Sequence, residues 1–182
     1  MNPDRGGERV VILDRDGTLV IDRGYLADPA GLEFEPMAAD GLRWLYSRGY
    51  RLVVITNQSG VGRGLFPLRG VIEMNARLHA MTAEIGVTLE GIYFCPHAPE
   101  EGCDCRKPAP GLMLRAAAEL GFDPRCAVVI GDKESDVEFG RNSGAATVLL
   151  AANPSGGERA TAADFVAPDL LAAARILTST RV

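Results

Sequence analysis

Residues 10–14, Val-Val-Ile-Leu-Asp, make an unbroken apolar run that ends on a carboxylate, and a second carboxylate follows at Asp16. A short run with no polar alternation suits a strand covered on both faces, the condition of strands in a parallel sheet. Open α/β sheets bind their ligands beyond the carboxyl ends of such strands, which is where Asp14 and Asp16 fall. Side chains alternate along a strand, so positions i and i+2 share a side only while the chain stays extended. Gly17 allows backbone angles closed to other residues, so the chain can turn there with both acids facing one point. Asp-x-Asp alone also fits a solvated Asx-type turn. The longer Asp14-Arg15-Asp16-Gly17-Thr18 sequence behind an apolar strand favours a site.

The same pattern recurs along the chain. A helix is expected over Ala38–Arg48, with Leu42, Leu45 and Tyr46 on one face and Gly49 as its stop. Arg51–Thr56 reads as a second buried strand, running into the polar, glycine-rich stretch Asn57–Gly64. Pro67–Ile85 suits a helix entered through proline and closed by Gly86. Gly91–Cys95 is a short strand, Gly111–Leu120 a helix, Cys126–Gly131 a strand ending at Asp132, and Glu134–Asn142 a helix. Ala146–Leu150 is a further strand, followed by a glycine-rich loop at Asn153–Gly157, a brief strand at Phe165–Val166 and a closing helix over Asp169–Leu177. Strands alternating with helices predict a Rossmann-like, doubly wound parallel sheet with helices on both faces. Asp14 and Asp16, Thr56 and Asn57, and Asp132 then converge on one rim.

At 182 residues, 47% of them hydrophobic, the chain fits a single domain spanning 1–182 with a sizeable core. A net charge of −5 argues against a generally basic nucleic-acid surface. Residues 1–9 lack an apolar stretch behind a basic start, so no signal peptide is expected. Nor does any run approach the roughly 18 apolar residues of a membrane helix. A cytoplasmic location is expected. In a reducing compartment the four cysteines read as metal ligands or core thiols rather than disulfides.

Carboxylates gathered at one point repel unless a cation lies among them. Asp14 and Asp132 offer the hard oxygens that suit Mg²⁺. A charge-neutralised Asp14 can attack phosphorus as carboxylate nucleophiles do. Such transfer needs little beyond alignment and charge stabilisation, for which Thr56 offers a hydroxyl and Lys107 an ammonium. Asp16 is placed to protonate the leaving alkoxide and then to deprotonate water. Asp136 reads as a helix-face charge or as a partner of one of these groups.

Cys95-Pro-His97 and Cys103-Asp-Cys105 bring three thiols and one imidazole into eleven residues. Zn²⁺ accepts such a set tetrahedrally, and four protein ligands imply a closed, structural site. The alternatives are a surface thiol loop with an incidental histidine, or a disulfide. Arg106 and Lys107 follow Cys105 directly, so the expected role of the zinc loop 95–105 is to position these cations. Cys126, at the head of a core strand, reads as a buried small hydrophobe.

These residues together resemble the haloacid dehalogenase superfamily of aspartate-nucleophile phosphotransferases. Its motifs lie here as Asp14–Thr18, Thr56-Asn57, Lys107-Pro108, and Gly131-Asp132 through Asp136, in order across nearly all of residues 9–150. The resemblance implies that Asp14 is nucleophile and metal ligand, that Asp16 is acid/base and binds metal through its backbone carbonyl, and that Asp132 adds a metal carboxylate. No segment is long enough for a large mobile cap, since 19–50 and 58–106 are filled by a helix plus short loops. A capless site takes its substrate choice from rim loops, which hold Arg63, Arg106, Lys107 and Lys133. More cations than the chemistry requires point to an additional anionic group on the substrate.

Within the superfamily, Asp22-Arg23-Gly24-Tyr25, the segment Asn57–Gly64, Cys-Pro-His, Cys-Asp-Cys-Arg-Lys-Pro and Gly-Asp-Lys look like the heptose-bisphosphate phosphatases. That likeness implies Mg²⁺-dependent removal of the 7-phosphate of D-glycero-D-manno-heptose 1,7-bisphosphate, beside a structural Zn²⁺, in the making of nucleotide-activated heptose. It carries substrate contacts over to Asp22, Gly24, Tyr25, Thr56, Asn57, Gln58, Ser59, Arg106, Lys107 and Lys133. Histidinol-phosphate phosphatase domains share the acids and the zinc loop, but their ligand brings its own positive charge to a cation-rich rim. A non-catalytic phosphosugar-binding module has little need of both Asp14 and Asp16. A polynucleotide phosphatase domain is disfavoured by the acidic balance. A monomer is the default expectation, and the anomer accepted at the first sugar carbon is not legible.

Overall fold

A computed structural model of the chain describes residues 9–24, 28–151 and 161–179. Six parallel strands form one sheet in the order β3-β2-β1-β4-β5-β6: Val10–Leu13 (β1), Arg51–Asn57 (β2), Gly91–Cys95 (β3), Ala127–Gly131 (β4), Ala146–Leu150 (β5) and Phe165–Ala167 (β6). The helices are Ala38–Tyr46 (α1), Leu68–Glu84 (α2), Gly111–Leu120 (α3), Glu134–Ser143 (α4) and Leu170–Ser179 (α5). Expected boundaries hold to within about two residues. The glycine-rich loop at 153–157 lies outside the described residues.

Two apolar layers sandwich the sheet, and strand alternation decides which residue joins which. Val11, Leu13, Leu52, Val54, Val128 and Ile130 pack on one face with α1, α2 and α5. Val10, Ile12, Val53, Ile55, Ala127 and Val129 pack on the other with α3 and α4. Both faces are therefore buried, which is why β1 and β4 carry unbroken apolar runs. No inserted domain covers the C-terminal rim of the sheet among the described residues, as expected of a capless fold. Among the described residues no helix is long and apolar enough to cross a membrane.

Two expectations fail. Cys126 is exposed and ends a short 3-10 turn over Pro124–Cys126, so β4 begins one residue later at Ala127. Asp123 accepts from the Arg125 amide at 2.9 Å, and this cap draws the preceding residues into a turn rather than a strand. Tyr46 lies 41% exposed, because the buried stripe of α1 is Ala38, Gly41, Leu42 and Leu45, and Tyr46 falls past its edge.

Candidate active site and metal-binding loop

The chain leaves β1 at Leu13, in register with Ile130 of β4, and the Asp14 amide still donates to the Ile130 carbonyl at 3.0 Å. Asp14 and Asp132 are thus delivered to the same edge by adjacent strands. Gly17 has φ +85°, and a Cβ there would lie 2.5 Å from an Asp132 carboxylate oxygen, so only glycine lets the β1 turn approach Asp132 so closely. Thr18 donates its hydroxyl to Asp132 Oδ1 at 3.4 Å. Ligand oxygens of Asp14, Asp132 and Asp136 lie within 4.8 Å of one another.

Lys107 reaches into this group although it is nearly fully buried. Its Nζ lies 2.7 Å from Asp14 Oδ1, 2.7 Å from Asp136 Oδ1 and 2.8 Å from the Ile55 carbonyl. Burial alone would lower the ammonium's pKa, but Asp14 and Asp136 outweigh it and push the pKa up. The opposite holds for Asp132: burial, reinforced by the charges of Asp14 and Asp136 and only partly opposed by Lys133, raises its carboxyl to about 6. Burial raises Asp136 as well. A cluster of hard oxygens with a surplus of negative charge suits Mg²⁺. Asp136 is not a helix-face charge. It is 2% exposed, pairs with Lys107, and accepts from the Lys133 amide at 3.1 Å to cap α4.

The remaining predicted residues divide between the cavity and its surroundings. A cavity of about 410 Å³ is lined by Asp14, Asp16, Asp22, Gly24, Thr56–Gly60, Phe66, Arg106, Lys107, Lys133, Ser135 and Asp136. This volume falls within the small-molecule range. Phe66, Gly60 and Ser135 carry no chemical signature that singles them out in sequence. Arg63 is exposed and does not line the cavity, and Tyr25 lies outside the described residues. Asp22 accepts from the Gly24 amide at 2.9 Å and from Lys133 Nζ at 3.2 Å. Burial would raise its pKa, but these two bonds and the Lys133 charge hold it below the usual carboxylate value. Arg106 Nη1 is buried and has no hydrogen-bond partner among the described residues.

The Asp16 carboxylate stands apart from the acid cluster. Gln58 Nε2 donates to its Oδ2 at 2.7 Å and to Thr56 Oγ1 at 3.0 Å. Arg15, 3% exposed, donates to it from Nε and Nη2. Arg15 was not expected at the site, and its sequence position between two acids is the one signal that could have shown it.

Cys95, His97, Cys103 and Cys105 meet as a second cluster. Their Sγ–Sγ separations are 3.5 Å (Cys95–Cys103) and 3.3 Å (Cys95–Cys105), and His97 Nδ1 lies 3.5 and 3.2 Å from Cys95 and Cys105 Sγ. A tetrahedron with Zn–S bonds of about 2.3 Å has edges of about 3.8 Å, so these donors need open only slightly around Zn²⁺. Burial drives the Cys95 thiol upward. At Cys103 burial also acts upward, but hydrogen bonds from Cys105 and Cys95 outweigh it and bring the thiol to about 7.

The cluster is tied to the catalytic rim. The Asn57 side-chain amide pairs with both backbone groups of Lys107, at 3.0 Å each. The Gln58 amide donates to the Cys95 carbonyl at 2.7 Å, and that of Gly62 to the Pro96 carbonyl at 2.8 Å.

A family model described as HAD-hydrolase-like matches residues 104–173. The chain is 43% identical over 148 residues to the D-glycero-beta-D-manno-heptose-1,7-bisphosphate 7-phosphatase of Helicobacter pylori strain J99, covering 80% of this chain and 85% of that one. It is 38% identical over 177 residues to the enzyme of the same name from Haemophilus influenzae, covering 93% and 96%. Its fold is similar to the crystal structure of D,D-heptose 1,7-bisphosphate phosphatase from B. bronchiseptica complexed with magnesium and phosphate. The TM-score is 0.81 at 29% identity, covering 94% of this chain and 98% of that one. The acids at the sheet edge, the thiol loop beside them and these likenesses agree: the chain belongs to the haloacid dehalogenase-like D-glycero-beta-D-manno-heptose-1,7-bisphosphate 7-phosphatase family.

Proposed function

We propose that this protein hydrolyses the 7-phosphate of D-glycero-D-manno-heptose 1,7-bisphosphate through an aspartyl-phosphate. The observation that carries the reading is the Asp14 carboxylate, held by the buried Lys107 ammonium at the base of a cavity rimmed by Arg106 and Lys133. Asp14 attacks phosphorus, forming the acyl phosphate as the ester P–O bond breaks. Asp16 gives its proton to the departing sugar oxygen and then takes one from the water that cleaves the acyl phosphate. Thr56 and Lys107 donate hydrogen bonds to the transferring phosphoryl oxygens.

Asp14, Asp132 and the Asp16 backbone carbonyl would hold Mg²⁺, which supplies charge neutralisation to the phosphoryl group and the nucleophile. Asp136 anchors Lys107 in this scheme. Cys95, His97, Cys103 and Cys105 would hold a structural Zn²⁺ that fixes Arg106 and Lys107. Asp22, Gly24, Tyr25, Asn57, Gln58 and Ser59 contact the sugar, while Arg106 and Lys133 meet its second phosphate. The buried, unpartnered Arg106 nitrogen supports that assignment, because an unmade charged hydrogen bond is costly until an anion arrives. Chain 1–182 acts as one phosphatase domain and as a monomer. Its place is the cytoplasm, where thiols stay reduced and available to metal.

The test is phosphate release from both heptose bisphosphate anomers, fructose 1,6-bisphosphate and histidinol phosphate, with and without Mg²⁺. The beta anomer, carried in the names of the curated relatives, is expected to be turned over fastest. A tenfold or greater preference for histidinol phosphate overturns the substrate. Binding without turnover overturns the reaction.

A further inference from the structure

We infer that Arg15 and Asn75 are positioning residues for Asp16, saturating one oxygen of its carboxylate so that the other carries the proton to the leaving group. The inference rests on the acid/base role proposed for Asp16 and extends it to two residues that do not line the cavity.

Arg15 is in phase with Val11 and Leu13, so its side chain enters the layer between the sheet and α2 rather than the phosphate cavity. A guanidinium buried in an apolar layer is stable only when its donors are matched. Here Nη1 donates to Asn75 Oδ1 of α2 at 3.0 Å, and Asn75 is itself buried. Nη2 donates to Asp16 Oδ2 at 3.0 Å, while Nε is shared between Oδ1 and Oδ2 at 3.2 Å each. Gln58 adds its bond to the same Oδ2.

Asp16 Oδ2 thus accepts from three N–H groups, and Oδ1 has only a share of Nε. An oxygen already accepting three hydrogens is a poor place for a proton, so the proton of the neutral acid resides on Oδ1. In the first half-reaction the Oδ1–H bond breaks and the proton joins the ester oxygen as the P–O bond opens, leaving a carboxylate. In the second half-reaction Oδ1 regains a proton from water as the water oxygen attacks phosphorus and the Asp14 oxygen–phosphorus bond breaks, releasing phosphate and the Asp14 carboxylate. Arg15, fixed at its far end by Asn75, holds the carboxylate plane through both halves. Long-range fixation suits the task, because a small misplacement of a catalytic group carries a large rate penalty.

The experiment compares leaving groups in single-turnover rapid-quench measurements. One substrate is the sugar phosphate of the panel above that is hydrolysed fastest; the other is 2,4-dinitrophenyl phosphate, whose leaving group departs without a proton. Asp16→Asn should slow phosphoryl transfer from the sugar ester by about 10²-fold or more and from the aryl ester by less than about threefold. Arg15→Met should show the same skew with at least about a tenfold loss on the sugar ester, and Asn75→Ala a smaller loss with the same skew. Mg²⁺ affinity should not move in any of the three.

Equal slowing of both esters in Arg15→Met and Asn75→Ala, or no slowing in either, overturns the positioning role while leaving the Asp16 assignment intact. Absence of the skew in Asp16→Asn removes that assignment and this inference with it. Where Arg15→Met does not fold, Asn75→Ala decides alone, since it leaves the arginine–carboxylate contact in place.

Discussion

Among the described residues two clusters have the donors to hold a metal, and they are built in opposite ways. The thiol–imidazole cluster comes from eleven consecutive residues at the edge strand β3 and the loop after it. The carboxylate cluster comes from Asp14, Asp132 and Asp136, brought together by the two central strands β1 and β4 with α4. In the acid cluster a lysine already stands among the charges. In the thiol cluster the four ligands make hydrogen bonds to one another. A site supported by a sheet and its own counterion is preassembled, whereas a loop of ligands draws its order from the metal.

Four experiments probe that contrast. The largest effect is expected from Asp14→Asn, which should reduce phosphate release by about 10⁴-fold or more while leaving Zn²⁺ content unchanged, measured by turnover and metal analysis. Next is Lys107→Met, which strands buried carboxylates; removing one partner of such a pair costs about 3–5 kcal/mol, read by denaturant unfolding, alongside loss of turnover. A loss below about 1 kcal/mol would show that the pocket does not depend on its internal ammonium.

Cys105→Ser should come third. Zinc content falls, the melting temperature drops, and kcat/KM declines by about tenfold through misplaced Arg106 and Lys107. Loss of zinc with turnover intact at ambient temperature would remove the positional role. The smallest effect concerns acidity. Ionising Asp132 in the metal-free protein opposes folding, because its carboxyl is raised from 3.8 to about 6. That opposition is absent below pH 4, grows between pH 4 and 6, and is complete above it. Mg²⁺ should therefore raise the melting temperature more at pH 7.5 than at pH 5, as scanning calorimetry would record. An equal rise at both values would mean that Asp132 does not bind the ion.

The same contrast explains what was legible in the sequence. The thiol loop is local, so spacing alone reveals it. The parallel sheet was legible because Val10–Leu13 and Ala127–Gly131 are apolar without alternation, which only two-sided burial explains. Asp14 and Asp132 followed as strand-end acids. Asp136 and Arg15 were harder, because a charge on a helix or in a turn is usually solvated, and their burial depends on partners 29 and 60 residues away, Lys107 and Asn75. Phe66 reaches the cavity from a loop and Ser135 from the first turn of α4, placements that no local pattern encodes. Cys126 and Tyr46 were misplaced by a single residue of phase or boundary.

Asp14 extends a strand that is bonded to a neighbour on each side, with one further strand beyond β2 and two beyond β4. When the sheet frays, it does so from β3 and β6, so amide hydrogens of Val11–Leu13 will be among the last to exchange for deuterium. The edge strand that carries the thiol cluster can breathe while the nucleophile keeps its aim on slowly opening backbone at the centre of the sheet.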